Sequence, residues 1–248
     1  MKCAILPIAL ASASLLASSA AVAQAAAPES SLSFNAGVVT DYRYRGISQS
    51  RLKPAVQGGF DYADKSGFYV GAWGSTIKWI KDTPGATDGS LELDLYGGYK
   101  GSAGPVAYDL GVLRYEYVGN KGYTPNPNTT EIYGAVTAGV FTVKYSHALT
   151  NTFGNTRSKD SNYIDLSATL DLGNGLSLVP HAGKQKIEGP NQADCSYSDY
   201  SVTLGKDLGK GLSASLMAVG TNAKRSCYTL KSKYNGKDGI VAGLKYTF

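Results

Sequence analysis

Apolar and polar residues alternate along almost the whole chain beyond residue 30. Residues 91–96 read Leu-Glu-Leu-Asp-Leu-Tyr, and residues 164–171 read Ile-Asp-Leu-Ser-Ala-Thr-Leu-Asp. A period of two is typical of β-strands whose two faces meet different surroundings, and no helical period competes with it. The pattern predicts about twelve strands, at residues 32–45, 54–63, 67–80, 90–100, 104–118, 131–138, 140–149, 162–172, 175–187, 198–208, 211–221 and 239–248.

The connections between these segments alternate in length. Short turns rich in Gly, Asp and Asn, such as 64–67 and 173–175, separate longer polar stretches. Most predicted strands have the ~9–11 residues that cross a bilayer at a tilt, and tight turns alternating with long loops are typical of outer-membrane barrels. The pattern predicts an all-β, antiparallel, up-and-down transmembrane barrel with long loops at 45–53, 81–90, 119–130, 150–162, 188–198 and 222–238.

The apolar face of each strand is assigned to lipid. In a bacterial barrel, aromatic residues on that face gather at the membrane–water interface. The final strand carries Gly243, Tyr246 and Phe248, a spacing similar to the one that the barrel-assembly machinery recognises in its clients. The candidate interfacial aromatics are Tyr42, Trp73, Trp79, Tyr246 and Phe248, together with Tyr44, Tyr99 and Tyr145.

The opposite face is charged and is assigned to the interior, where a charge needs water or a partner. A wet channel and a plug of salt bridges both remain open. Acidic and basic residues are present in similar numbers, which predicts weak charge selectivity. The face is ambiguous in strands 104–118 and 175–187, which carry Asp109 and His181. The candidate pore-lining residues are Arg43, Arg45, Glu92, Asp94, Arg114, Glu116 and Lys144.

The beginning of the chain has the features of a secretory signal. Lys2 precedes an apolar run at 4–17, and two overlapping A-x-A sites follow at 21–23 and 23–25. The run is shorter than the ~20 residues of a spanning helix. We therefore expect a signal peptide at residues 1–23, with cleavage alternatively after residue 25, followed by a single outer-membrane barrel domain at 24–248.

Two cysteines remain after the signal, Cys195 and Cys227. They fall in the fifth and sixth predicted long loops, on the same side of the barrel. The compartment beyond the inner membrane is oxidising, so the pair predicts a disulfide between neighbouring loops. Two cysteines and two distant histidines do not form a ligand cluster, so no metal site is expected. Nothing in the sequence suggests a cofactor.

Several function classes have little support in the sequence. The net charge of +5 is spread along the chain, without a basic run that would favour nucleic acid. A lipid-modifying enzyme needs a nucleophile beside a base. His147 lacks a serine two residues on, His181 has no obvious serine partner, and no G-x-S-x-G elbow occurs. We expect no catalysis.

The first half of the chain also resembles a known family. The strings at 41–50 (DYRYRGISQS), 54–62 (PAVQGGFDY) and 67–75 (GFYVGAWGS) are similar to the TorF-like porin family of proteobacterial outer-membrane proteins. Residues 92–99 and 131–134 continue the likeness. The resemblance implies an outer-membrane barrel with a pore role, and it implies neither a solute nor functional residues. The Cys195/Cys227 pair is not expected of every member.

The sequence therefore predicts a porin-like channel in the bacterial outer membrane, through which small hydrophilic solutes diffuse passively. Its expected partners are outer-membrane lipids, the solutes and, during biogenesis, the barrel-assembly machinery. The main alternative is a closed structural or adhesive barrel that acts through external loops. A lipid-modifying enzyme and a soluble periplasmic β-sandwich are further alternatives. Monomeric and trimeric states both remain open.

Overall fold

A computed structural model describes residues 30–248, so the predicted signal peptide at 1–23, with its alternative cleavage after 25, lies outside the described residues. The twelve long strands form one closed antiparallel sheet, which confirms the predicted fold class. They are β1 (Ser31–Val39), β2 (Ala55–Ala63), β3 (Phe68–Thr76), β4 (Leu91–Ala103), β5 (Val106–Val118), β6 (Thr129–Ala138), β7 (Phe141–Ala148), β8 (Asn162–Ala168 and Leu170–Gly173), β9 (Leu176–Lys186), β10 (Tyr197–Gly209), β11 (Leu212–Thr221) and β12 (Gly239–Thr247).

Every strand pairs with its neighbours in sequence, and β1 closes the barrel by pairing with both β2 and β12. At this seam Ala36 lies opposite Tyr246 on one side and Gly58 on the other. β8 is interrupted at Thr169, and both of its segments pair with β9. Among the described residues, closure leaves no edge of the barrel sheet unpaired, which is the condition for a sheet to lie within lipid.

The connections differ at the two ends of the barrel. At the short-turn end, Asn174–Gly175 and Lys210–Gly211 have positive φ at both residues, as in the tight hairpin turns that match the right-handed strand twist. The long-loop end carries three one-turn helices, α1 (Trp79–Asp82), α2 (Gln192–Cys195) and α3 (Arg225–Tyr228). No helix among residues 30–248 is long and apolar enough to cross a membrane.

The outside of the barrel is apolar. Large hydrophobic side chains stand exposed around the sheet, with Phe68 at 64% and Ile240 at 72%. Near the short-turn end, exposed aromatic rings of neighbouring strands contact one another, as Phe34 does with Phe60 and Phe248, and Phe68 with Tyr99. A continuous exposed apolar band with an aromatic rim matches a lipid-facing surface.

Two strands end earlier than the sequence predicts. β1 stops at Val39 instead of residue 45, and β3 stops at Thr76 instead of residue 80. After Val39 the chain leaves the wall and turns into the interior, so its alternation no longer reports a lipid-facing side. After Thr76 the chain folds over the long-loop end, where Trp79 begins α1.

Candidate functional site: the barrel interior

The connection between β1 and β2 is folded into the barrel. We call residues 40–54 the inner loop. Tyr42, Ser48 and Ser50 in this segment are 1%, 0% and 2% exposed, values typical of a protein core. The DYRYRGISQS string therefore forms an internal structure, whereas the sequence predicted an external loop over 45–53.

The inner loop has its own hairpin, in which Arg43–Tyr44 pairs with Ile47–Ser48. Arg43 forms a salt bridge with Asp41 and donates from Nη1 to the carbonyl oxygen of Gly46 at 2.9 Å. Ser48 Oγ also donates to Asp41 Oδ1. The segment thus satisfies most of its buried polar groups internally, which buried groups require if they are not to destabilise the fold.

Arg45 anchors the tip of the inner loop to the opposite wall. Its guanidinium contacts both carboxylate oxygens of Glu131 on β6, at 3.1 and 2.7 Å, and donates to Gln185 on β9 at 2.6 Å. It also lies 4.4 Å from the centre of the Tyr163 ring. A bidentate, buried ion pair of this kind fixes geometry strongly, and removal of one partner typically costs about 3–5 kcal/mol.

Gly46, next to Arg45, packs closely against two strands of the barrel wall. Its φ is +78°, and an added Cβ would lie 2.5 Å from Cγ2 of Thr221 on β11 and 2.7 Å from Cβ of Asp199 on β10. Glycine is required both by the left-handed backbone and by this close approach. The inner loop therefore also packs closely against β10 and β11, which lie three and two strands from β1 in the closed sheet.

Aromatic side chains fill the space around the inner loop. Tyr42 packs edge-on against Trp73 of β3, with ring centres 5.5 Å apart, and donates its hydroxyl to Glu92 Oε1 at 3.0 Å. Burial raises the pKa of Tyr42 well above its usual value, so the hydroxyl stays protonated as a donor. Tyr44 contacts Tyr115 of β5 through both the ring and the hydroxyl.

Other loops at the long-loop end also contact the inner loop. Gln49 accepts a hydrogen bond from the Lys78 amide at 2.8 Å, and Arg51 pairs with Asp82 of α1. From the loop between β11 and β12, the carbonyl oxygen of Lys237 accepts from Arg43 at 2.8 Å. That loop contains α3, which is joined to α2 by the Cys195–Cys227 disulfide with a Cα–Cα distance of 5.4 Å. The predicted disulfide is confirmed.

The short-turn half of the interior is different. Its inward side chains are mostly polar and partly accessible, and Tyr69 lies among them, 4.4 Å from Lys100 Nζ to its ring centre and donating to Asp109 at 2.6 Å. This half carries an ion pair between Lys100 and Asp109 at 3.9 Å. Its inward residues include Ser33, Asn35, Gln57, Asp61, Lys100, Asp109, Ser213 and Lys245. The inner wall is therefore filled at one end and lined by accessible polar groups at the other.

Five of the seven candidate lining residues face the interior, namely Arg43, Arg45, Glu92, Asp94 and Lys144. All five are packed in the interior, most of them around the inner loop, so none is a freely hydrated wall charge. Lys144 lies 4.1 Å from the centre of the Tyr133 ring.

The assignment of Arg114 and Glu116 to the pore lining is wrong. They share the face of β5 that carries the exposed Leu110, Val112 and Val118. They pair with each other at 3.0 Å on the outer surface. The inward residues of β5 are the odd-numbered ones, beginning with Asp109. The charge of Asp109 was the sequence signal that could have set this parity.

Four of the candidate interfacial aromatics are also wrong. Tyr42, Tyr44 and Trp73 lie inside the barrel, and Trp79 packs edge-on against Tyr117 and Tyr123 at the long-loop end. Trp73 fits inside because Gly59 lies opposite it, where a Cβ would approach the Trp73 Cα to 2.9 Å.

Tyr246 and Phe248 lie on the outer surface, with their rings stacked at 5.5 Å. The outer aromatic rim contains further rings that the alternation pattern did not single out as interfacial candidates. They are Phe34, Phe60, Phe68, Tyr108 and Phe141.

His181 belongs to a polar cluster that the sequence did not predict. Its Nε2 lies 2.7 Å from Asp165 Oδ2, and its Nδ1 lies 3.7 Å from Asp199 Oδ1. Ser201 Oγ is 3.5 Å from Nδ1, which is the outer limit for a hydrogen bond. Ser201 sits within a strand that is paired on both sides, so its backbone N–H serves the sheet rather than an oxyanion site.

His147 lies on the outer surface near the long-loop end. Its Nε2 is 3.3 Å from Asp160 Oδ1, and its ring stacks on Tyr145. Within residues 30–248, no group of three or more His, Cys, Asp or Glu residues is placed to hold a metal ion.

Comparison with known proteins finds a matching family model and solved barrels of similar fold. A family model described as "Bacterial protein of unknown function (Gcw_chp)" matches residues 22–248. No curated protein matches the sequence. The solved KdgM porin aligns with a TM-score of 0.57 and 8% identity over 87% of this chain and 99% of that chain. The NanC porin aligns with a TM-score of 0.54 and 8% identity, over 87% and 99%.

A third solved structure, "KdgM porin in complex with disordered oligogalacturonate", aligns with a TM-score of 0.54 and 7% identity, over 88% of this chain and 99% of that chain. At such identities the likeness shows the fold alone. The barrel is of the kind found in these porins.

Proposed function

Because the chain belongs to the Gcw_chp family of bacterial proteins of unknown function, we propose a function from its own residues: a porin-like channel of the bacterial outer membrane for small hydrophilic solutes. The observation that carries this proposal is the inverted polarity of the barrel. Apolar side chains cover the outside, whereas charged side chains cover the inside. Such a sheet is suited to lipid around it and water within it.

Passage through this channel needs no energy input. Solutes enter the accessible polar half and are then limited by the inner loop, which narrows the interior where it crosses. Solutes are selected first by their size and second by the fixed charges of the residues around the inner loop. The inner loop is held by hydrogen bonds and ion pairs rather than by covalent bonds, so its packing sets the width of the path.

The solved relatives support this class of function without naming the solute. One of these structures is of the KdgM porin in complex with disordered oligogalacturonate. For this chain we propose only small hydrophilic solutes. The narrower resemblance to TorF-like porins is part of the same proposal, as are the outer-membrane location, the contact with its lipids and the assistance of the barrel-assembly machinery. We propose no enzymatic activity.

The test is insertion of the purified full-length protein into planar lipid bilayers. The expected result is discrete conductance steps from protein that shows the heat-dependent gel mobility of a folded barrel. Folded protein without conductance would overturn the channel and favour the closed structural or adhesive barrel. Protein that remains compact in buffer without detergent would overturn the membrane barrel itself.

A further inference from the structure

We propose that the channel prefers cations over anions, and that the selecting group is the carboxylate pair Glu92 and Asp94 where the inner loop crosses the lumen. The inference rests on the proposed channel function and names the class of solute it favours: monovalent cations, including small organic ammonium ions. Its starting point is the charge of the interior.

The interior holds slightly more carboxylates than basic side chains, although the chain as a whole is basic. Among the described residues, eight carboxylates face inward or lie in the inner loop, against seven lysines and arginines. The difference is one negative charge, before His181 is considered. The carboxylates are Asp41, Asp61, Glu92, Asp94, Asp109, Glu131, Asp165 and Asp199, and the cations are Arg43, Arg45, Arg51, Lys53, Lys100, Lys144 and Lys245.

Most of the inner carboxylates already have partners. Glu131 binds Arg45, and Asp109 lies beside Lys100. Asp165 and Asp199 flank His181. Asp41 binds Arg43, and Asp61 accepts from the Tyr96 hydroxyl at 2.6 Å.

Glu92 and Asp94 are the exception among these carboxylates. Both side chains are at most 1% exposed, and no described Lys, Arg or His forms a salt bridge with either. Glu92 Oε1 accepts from Tyr42, whereas its Oε2 and both oxygens of Asp94 have no hydrogen-bond partner. Three unsatisfied carboxylate oxygens at one place are costly unless a donor or cation occupies them.

The surroundings of the pair favour a cation specifically. Asp94 lies in register between Trp73 on β3 and Tyr115 on β5, and Glu92 lies beside Tyr117. Aromatic faces attract cations and repel anions. Carboxylates among aromatic rings form a suitable site for a monovalent cation that has lost part of its water.

The experiment is the reversal potential in planar bilayers under a potassium chloride gradient. Wild type is expected to favour K⁺ over Cl⁻. Because one carboxylate acts at short range in a poorly solvated site, Asp94→Asn is expected to lower the permeability ratio by roughly threefold or more. Glu92→Gln should shift it in the same direction and serves as the second variant if Asp94→Asn does not fold.

Two control variants separate the pair from a general charge effect. Asp165→Asn removes one inner carboxylate that already has His181 as its partner, and it should shift the ratio less. Glu116→Gln removes a carboxylate on the outer surface and should leave the ratio unchanged. Equal shifts in Asp94→Asn and Asp165→Asn would overturn the role of the pair.

The remaining outcomes are equally distinct. Wild-type conductance without K⁺ preference, or unchanged selectivity in folded Asp94→Asn or Glu92→Gln, would overturn the inference while leaving the channel intact. Absence of conductance from folded wild type would overturn the channel and the inference together. Greater permeability to tetramethylammonium than to an anion of similar size would extend the preference to organic cations.

Discussion

The two halves of the barrel interior are built on the same alternating strands but differ in what fills them. At the long-loop end, the inner loop meets Trp73, Tyr115 and Glu131, and the side chains there are buried as in a protein core. At the short-turn end, inward residues such as Asn35 and Lys245 remain partly accessible. Polar alternation alone therefore does not define a channel. The chain segment that enters the lumen decides which inward charges meet water.

The two halves are also expected to respond differently to substitutions. In the filled half, side chains gain packing and most charges are paired, so substitutions there are expected to act on stability and on pore width together. In the accessible half, water already solvates the wall, so substitutions are expected to act mainly on ions. Four predictions test this contrast, from the largest expected effect to the smallest.

Arg45→Ala should give the largest effect, because it leaves Glu131 buried without its cation. We expect about 3–5 kcal/mol of destabilisation of the inner-loop packing, together with higher single-channel conductance from a loop that no longer reaches the far wall. Lys53→Ala, at an exposed position of the same loop, is the matched control. If both variants conduct like wild type, the anchoring role of Arg45 is wrong.

Removal of the disulfide should loosen the outer support of the filled half. Cys195→Ser combined with Cys227→Ser frees the loop whose Lys237 carbonyl oxygen accepts from Arg43. We expect a stability loss of up to about 3 kcal/mol and noisier conductance, with the heat-modifiable barrel retained. Wild type under reducing conditions provides the comparison. Quiet traces and unchanged stability in both samples would show that the inner loop does not depend on this link.

Gly46→Ala should disturb the filled half through a single methyl group. The clash with Thr221 and Asp199, added to the positive φ, is expected to cost about 1–3 kcal/mol. Gly104→Ala is the matched control, since Gly104 has φ +59° with nothing within 4 Å of an added Cβ. Both variants place a non-glycine residue at positive φ, but only Gly46→Ala adds a steric clash. The difference between their thermal stabilities therefore measures the cost of the clash with Thr221 and Asp199. Equal losses would mean that the inner loop does not pack tightly against β10 and β11.

Asp64→Asn at the short-turn end should give the smallest effect. Asp64 accepts from the amide and hydroxyl of Ser66 and from Ser30 at 2.9 Å, and these bonds lower its pKa from 3.8 to about 2. Because the folded pKa is the lower one, the carboxylate contributes stability above pH 3.8, and this is lost as the pH falls towards 2. Acid unfolding of wild type and Asp64→Asn should differ near neutral pH and converge below pH 2. A constant difference would assign the effect to the turn geometry.

The sequence predicted most of the wall correctly. The alternation in β4, for example, placed Glu92 and Asp94 inward and Leu91 and Leu95 outward, as observed. The loop positions of Cys195 and Cys227 followed from the same count of strands. These features are local, because one face of each strand must be apolar wherever lipid surrounds the sheet.

The errors arose where tertiary structure overrides a local pattern. Tyr42 continues the apolar parity of β1, yet the chain has already left the wall at Val39. Arg114 was assigned inward by its charge, although a charged pair near the long-loop end also satisfies itself on the outer surface. Trp73 was assigned outward by its hydrophobicity, although an inner loop supplies it with a packed interior. In each case the residue type suits both faces.

Alternation by itself determined a closed barrel with apolar and polar sides, because a strand between lipid and water has only two faces to fill. Which polar positions become a hydrated path, an anchored plug or an unbalanced carboxylate pair was decided only by the tertiary structure. The reason is physical: the inner loop meets residues of β3 to β11 and of the loop before β12, in one case 194 positions away in sequence, and no local pattern records where its side chains come to rest.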